Sequence, residues 1–338
     1  MNELVETSTR ERAGNLWAIT CYFNPIGYKT RLRNYQAFRQ RLAVPLLTVE
    51  LSFDGNFQLR RDDADIVVQL QGRHVMWQKE RLLNVALQLV PPACDRIAWL
   101  DCDVVFERSD WPERAIRALD QFALLRLFHK RHDLPRDAPV DQLRLPDSSA
   151  ESMADIADPD ALPEDPLRPA APLEQRTSPG LAWAGRRDVL AKHGVYDACI
   201  LGSGDRAILC AALGQFDYIA RALRMNRRRL EHYLTWAEPF FESVHGRIGY
   251  LQGRIFHLWH GDRNDREYRE RQALLEKFEF DPYTDIAVDG NGCWRWNSDK
   301  PDLHESVKRY FESRNEDGVR AENASDSLMD VRFHRGMH

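Results

Sequence analysis

No apolar run in this chain approaches the ~18 residues that a bilayer-spanning helix needs. The opening segment, MNELVETSTRERAG, is charged and has no apolar core of the kind a secretory leader carries. The six cysteines, at positions 21, 94, 102, 199, 210 and 293, contain no CxxC pair and no framework spacing. Reduced thiols in a cytoplasmic protein without a transmembrane segment are therefore expected. Basic charge is not in excess either: Lys+Arg is 47 against Asp+Glu 52, a net of −5. A chain whose main task is to coat nucleic acid needs the opposite balance, so no nucleic-acid partner is expected. No internal repeat is visible. What is plentiful is apolar material: 43% of the 338 residues, with nine Trp, ten Tyr and fifteen Phe. That is enough for a packed core, and the length allows two domains or one large α/β domain with insertions.

A second deficit is local. Residues 132–176 contain no glycine and no aromatic side chain, yet hold eight of the seventeen prolines. Eleven Asp/Glu against four Arg give this stretch a net of −7, so the rest of the chain carries about +2. Such a composition cannot bury enough apolar surface to offset its ordering entropy. It reads as an acidic, Pro-rich flexible insertion, either inert or a flap beside a site. Residues 1–14 and 319–338 read as weakly ordered tails.

Between these segments the pattern alternates. LWAITCYF (16–23) is a strand ended by Asn24-Pro25-Ile26-Gly27, and TRLRNYQAFRQRL (30–42) has helical spacing at Leu32, Tyr35, Phe38 and Leu42. PLLTVELSF (45–53) and ADIVVQL (64–70) are strands, and MWQKERLLNVALQLV (76–90) is a helix stopped by Pro91-Pro92. RIAWLDCDVVF (96–106) reads as a fourth strand and ALLRLFH (123–129) as a fifth. This order predicts an α/β, Rossmann-like, mostly parallel sheet flanked by helices. Ligands of such sheets lie beyond the carboxyl ends of the strands.

There the chain places Asp101 and Asp103, after the apolar run Ile97-Ala98-Trp99-Leu100. Two carboxylates at a strand exit repel each other and lose hydration, and a hard divalent cation, Mg²⁺ or Mn²⁺, relieves both costs. Two solvated turn aspartates are the plainer alternative. Farther on, Gly202-Ser203-Gly204-Asp205 opens an apolar helix, where Asp205 suits an N-cap. In GRIFHLWHGDRND (253–265), His257 and His260 lie three apart, either as core histidines or as metal ligands.

Together the NP turn, the helix QKERLLNVAL and the strand WLDCDVVF resemble the metal-dependent glycosyltransferases of the GT-A fold, over residues 15 to 262. The resemblance implies a hexosyltransferase-type enzyme that takes a nucleotide-diphosphate sugar, a UDP-sugar first among them, with Mn²⁺ or Mg²⁺. The acceptor would be a glycan, a lipid-linked or a small-molecule hydroxyl. Asp103 would touch the metal, and Asp101 would touch it through water or hold the ribose. Asn24, Asp54 and Lys79 would bind the nucleotide or its phosphates, while His257, then His260, would complete the metal set. Asp205 would be the general base, inverting rather than retaining, although the two adjacent acids usual in that family are here only one. The domain division follows: 15–131 as the nucleotide-sugar half, 177–262 as the acceptor and metal half, and 263–318 as an extension with no chemical signature.

Two rivals remain. LDCDVV also fits the first motif of haloacid-dehalogenase-type Mg-dependent phosphatases, with GDRND as a later acidic motif; the strands before it would then be a separate domain. A catalytically silent nucleotide- or sugar-binding module is the other. Arg221, Arg224 and Arg228 fall on one helical face, solvated or facing an anionic acceptor or lipid surface. Trp183, Trp236 and Trp259 could stack on sugars or simply pack.

Overall fold

The structure, a computed structural model, describes residues 16–136, 138, 156–157, 179–262, 264–267 and 270–318. The two tails and most of the 132–176 insertion lie outside the described residues. The first half alternates as the sequence predicts: β1 (Leu16–Phe23), α1 (Lys29–Gln40), β2 (Leu46–Ser52), β3 (Ile66–Gln71), α2 (Lys79–Leu89) and β4 (Arg96–Leu100). Next come β5 (Val104–Phe106), α3 (Trp111–Ala118), β6 (Leu124–Arg126), β7 (Lys130–Asp133), β8 (Ile156–Ala157) and β9 (Ala182–Arg186). Helices α4 (Arg187–His193), α5 (Gly204–Ala212), α6 (Phe216–Ala222) and α7 (Arg227–Val244) precede β10 (Ile248–Tyr250) and β11 (Arg254–His257). The chain ends in α8 (Glu270–Lys277), α9 (Pro282–Asp285), the β12 (Ile286–Val288) and β13 (Trp294–Trp296) hairpin, and α10 (Pro301–Ser313).

Seven strands form the main sheet in the order β10-β6-β9-β4-β1-β2-β3. The pairs β3/β2, β2/β1, β1/β4 and β6/β10 are parallel, and only β9 runs against its neighbours. Both faces are covered, so side chains alternate between two cores. On β4, Ile97 and Trp99 enter one core with Leu82, Leu83 and Ala86 of α2, whereas Ala98 and Leu100 enter another with Phe38 of α1 and Trp111 of α3. That two-sided burial is why these strands read as nearly continuous apolar runs. The strand order reverses between β1 and β4, and such a switch point leaves a crevice beyond their carboxyl ends.

Three expectations need correction. The run 96–106 is not one strand: the chain turns at Asp101-Cys102-Asp103, and β5 joins a second sheet, β5-β11-β7-β8. The insertion does not begin at 132, because His132 and Asp133 complete β7, which pairs in parallel with β11. Its charged sequence, KRHD, concealed a strand that lies against a partner from far along the chain. Arg221, Arg224 and Arg228 do not share a helical face: α6 ends at Ala222, Arg224 takes a left-handed φ of 47°, and α7 starts afresh. Arg224, Arg227 and Arg228 pair with Glu276, Glu231 and Asp281. The three strands before the Asp-Cys-Asp belong to its own sheet rather than to a separate domain. All six cysteines are free thiols. No helix among the described residues is long and apolar enough to cross a membrane.

Candidate active site

The turn after β4 sends its two aspartates in different directions. Asp101 stays with the main sheet, where its amide donates to Leu181 O and its Oδ2 accepts from Leu181 N. Its Oδ1 meets Lys79 Nζ at 2.5 Å. The same ammonium reaches Asp205 Oδ2 at 2.7 Å, so one lysine of α2 ties the end of β4 to the start of α5. Burial pulls the Lys79 pKa down, but Asp101 and Asp205 overcome this and hold it well above the usual lysine range. Asp205 is pushed up by burial, with Lys79 pulling the other way.

Asp205 is not the helix cap. Ser203 holds the N-cap position, in a left-handed conformation of φ 80° after Gly202 at the same φ, and no side chain caps the helix. A non-glycine residue at positive φ stores strain, which the surrounding contacts must hold. Here Arg271 of α8 donates to Ser203 Oγ at 3.0 Å. Helix α2 secures the preceding loop: Arg81 pairs with Asp197, Asn84 donates to Val195 O, and Asn84 Oδ1 accepts from Val195 N. Gly180 leaves room for the acid, since a Cβ there would sit 2.8 Å from Asp205 Oδ2.

Asp103 turns to the second sheet. Strand register explains its company, because His257 on β11 is flanked by Val104 of β5 on one side and Asp133 of β7 on the other. Asp133 Oδ1 lies 2.9 Å from His257 Nδ1. A carboxylate there accepts the Nδ1 proton and leaves the Nε2 lone pair facing inward. His257 Nε2 lies 3.1 Å from His260 Nε2, and His260 Nε2 lies 3.1 Å from Asp103 Oδ2. Ligand atoms of Asp103, His257 and His260 all fall within 4.8 Å of one another. Asp103 Oδ1 is buried and has no hydrogen-bond partner among the described residues. Burial pushes the Asp103 carboxyl up, against the pull of His257. Burial, then the guanidinium of Arg266, holds His260 well below the ordinary imidazole range, so its ring is neutral. Arg266 donates to His260 Nε2 at 2.9 Å, which puts a protein cation against the group. One buried carboxylate oxygen without a partner and two imidazoles are ligand types that suit Mn²⁺ or a similar divalent ion, which would displace the Arg266 hydrogen bond from His260 Nε2.

Of the residues singled out in the sequence, the structure thus gathers two groups: Lys79, Asp101 and Asp205, and Asp103, His257 and His260. Asp101 stands with the lysine rather than among the metal-type ligands. Asn24 and Asp54 join neither group. Asn24 bonds both backbone groups of Tyr28 and also Gln58, and so builds the turn into α1. Asp54 binds Ser52 and Asn56; these hydrogen bonds hold its carboxyl down at about 2. Trp183 stacks on Trp99 in the core, and Trp236 on Phe240.

Sequence reasoning missed Asp133, Arg266 and Glu80. Asp133 fell in a segment of loop composition, and Arg266 in an unremarkable run of charges. Glu80 stood beside Lys79 without a pattern of its own. The extension also reaches the site. Arg314 and Arg31 share the buried carboxylate of Glu316, Arg314 and Arg271 share the Tyr310 hydroxyl, and Arg31 donates to Phe23 O at the end of β1.

No known protein family's profile matches the chain, and no curated protein matches it. Among solved structures, residues 1–349 of TarS from S. aureus, in complex with UDP-GlcNAc, are 14% identical. That match covers 74% of this chain and 60% of that 1–349 fragment, at a TM-score of 0.39. Glucosyl-3-phosphoglycerate synthase from Mycobacterium tuberculosis, with Mn²⁺, UDP-glucose and phosphoglyceric acid, is 10% identical, over 86% of this chain and 90% of that one, at 0.41. 4-Diphosphocytidyl-2C-methyl-D-erythritol synthase from Anaerococcus prevotii is 10% identical, over 73% and 89%, at 0.33. At these identities and scores the likenesses assign the chain to no family.

Proposed function

We propose that the chain is a glycosyltransferase of the GT-A type, moving a sugar from a nucleoside-diphosphate sugar to an acceptor hydroxyl with inversion. The observation that carries this reading is the convergence of two different acidic groups on the two ends of one turn. One group would take a cation and the other a proton, both at the carboxyl end of β4 beside the sheet's switch point.

Asp103, His257 and His260 would hold a divalent ion, Mn²⁺ or Mg²⁺, which when bound supplies positive charge to the diphosphate oxygens. Arg266, released from His260 Nε2 by the ion, would add a second cation on the same side. The departing diphosphate takes the electron pair of the sugar C–O bond, and charge placed beforehand at that oxygen lowers the barrier without reorganisation. The acceptor oxygen forms the new bond to the anomeric carbon as its proton passes to Asp205. Burial makes Asp205 a stronger base than an exposed aspartate, and Lys79 keeps it ionised and aimed. Asp101 fixes Lys79 from the other side. A single displacement by one base gives inversion.

Thermal shift with nucleoside diphosphates and nucleotide sugars tests the reading. UDP or another nucleoside diphosphate is expected to raise the melting temperature only with Mn²⁺, and the rise to vanish in Asp103→Asn and in chelator. A shift by inorganic phosphate alone, or an Mn²⁺-independent nucleotide shift kept in Asp103→Asn, would overturn it.

A further inference from the structure

Gly204, the first residue of α5, has no positive φ, so its backbone does not call for glycine. Space does. A Cβ built there would fall well under 3.0 Å from the Glu80 carboxyl, nearer than real Cβ atoms come to any neighbour. Glu80 lies on α2 next to Lys79, is 2% exposed, and its carboxyl accepts from its own backbone N–H. Burying a carboxyl is costly unless its position does something. Its carboxyl occupies the place that a side chain immediately before Asp205 would fill. Gly180 clears the corresponding space on the other side of Asp205.

Building on the transferase reading, we propose that Glu80 is a positioning residue that supplies, from α2, a second carboxyl beside Asp205 and wedges the Gly202–Asp205 turn so that the base faces the acceptor. Gly204 is glycine because Glu80 stands in its side-chain space. Helix α2 then delivers two groups to one acid: Lys79 as a charge partner and Glu80 as a steric and polar stop. The groups facing Glu80 are Lys79 on its own helix, Asp205 of α5, Asp101 at the end of β4, Cys21 of β1 and Cys199 in the loop before α5. Burial, with Asp205 adding to it and Lys79 opposing it, pushes the Glu80 carboxyl up to about 8. Near neutral pH it is therefore a protonated acid, which glutamine mimics in shape and charge.

Two double-mutant cycles in thermal stability test the contact without relying on turnover. Gly204→Ala is expected to destabilise the full-length protein strongly when Glu80 is present, and little in Glu80→Ala. Glu80→Ala and Asp205→Asn are expected to be non-additive. Additivity in either cycle overturns the proposal. A third reading is the pH slope. The raised carboxyl of Glu80 favours the fold fully below about 4.5, and that contribution is lost as pH rises to about 8. Glu80→Gln is expected to flatten this slope, and an unchanged slope counts against the proposal.

For the role itself, the acceptor KM and kcat are compared at saturating donor. Glu80→Ala is expected to lose roughly 10- to 100-fold in kcat/KM for the acceptor with donor KM unchanged, and Glu80→Gln to recover most of it. Unaltered acceptor kinetics in Glu80→Ala overturn the proposal. If the wild-type protein turns over no nucleotide sugar, the transferase reading fails, while the stability cycles still decide whether Glu80 holds Asp205.

Discussion

Asp101 and Asp103 are separated by one residue, yet they live in different chemical worlds. Asp101 faces an ammonium fixed by helix α2, which it shares with Asp205. Asp103 faces two imidazoles, one of them held from behind by Asp133. A continuing strand would have put both carboxylates on one side, since residues two apart share a face. The turn between β4 and β5 separates them instead. On one side the ammonium of Lys79 bridges two carboxylates; on the other a single carboxylate meets two imidazoles, with the Arg266 guanidinium against one of them. The pair acts as a junction between two sites rather than as one chelate.

Breaking one side while sparing the other sharpens this comparison. Asp103→Asn removes the only carboxylate of the metal-type group and is expected to have the largest effect. Mn²⁺-dependent nucleotide binding should weaken by more than the roughly 100-fold that supporting residues of a metal site command, by calorimetry. The lysine side should stay folded, with a melting temperature near that of the wild type. Asp205→Asn is the converse. Transfer should fall by about 10²- to 10⁴-fold while Mn²⁺-dependent donor binding is kept. Loss of donor binding in that variant would make the two groups one site after all.

Lys79→Met probes how the two aspartates on the lysine side are kept apart. Asp205 is already raised by burial and is held down only by Lys79. Without the ammonium its pKa should rise further. If the ionised form is the base, as in the proposed transfer, the acid limb of kcat/KM should move to higher pH, with activity lost sooner on acidification. Metal affinity should change little. An unmoved acid limb would mean that Asp205 is not the titrating base.

Much of this was legible in the sequence, and unevenly so. The strands β1 to β4 and helices α1 and α2 bury regular faces, so their periodicity survives in the residue pattern. Asp101, Asp103, Asp205 and the two histidines stand out at strand ends and a glycine turn, and Lys79 only through the resemblance. What could not be read was which carboxylate goes where. That depends on the pairing of β11 with β5 and β7, contacts made across more than a hundred residues. Gly204 was visible as a turn glycine, but the side chain that requires it comes from position 80. The arginine–glutamate bonds joining the extension to β1 carry no local signal, because charged residues in loops look alike whether buried or solvated.

Asp133 marks the limit of that legibility and gives the smallest expected effect. It lies at the edge of a stretch that composition assigns to a loop, yet its carboxylate is what orients His257. In Asp133→Asn the side-chain oxygen can still accept the Nδ1 proton, but without the negative charge that strengthens the bond and makes the ring more basic. Mn²⁺ affinity should fall about tenfold, at the lower end of what such supporting residues command. The acid limb set by Asp205 should not move, because Asp133 stands behind the imidazoles and not beside Lys79. If that limb did move with Asp133→Asn, the two sides of the turn would be coupled through the Asp-Cys-Asp backbone. Their separate environments would then be one electrostatic unit.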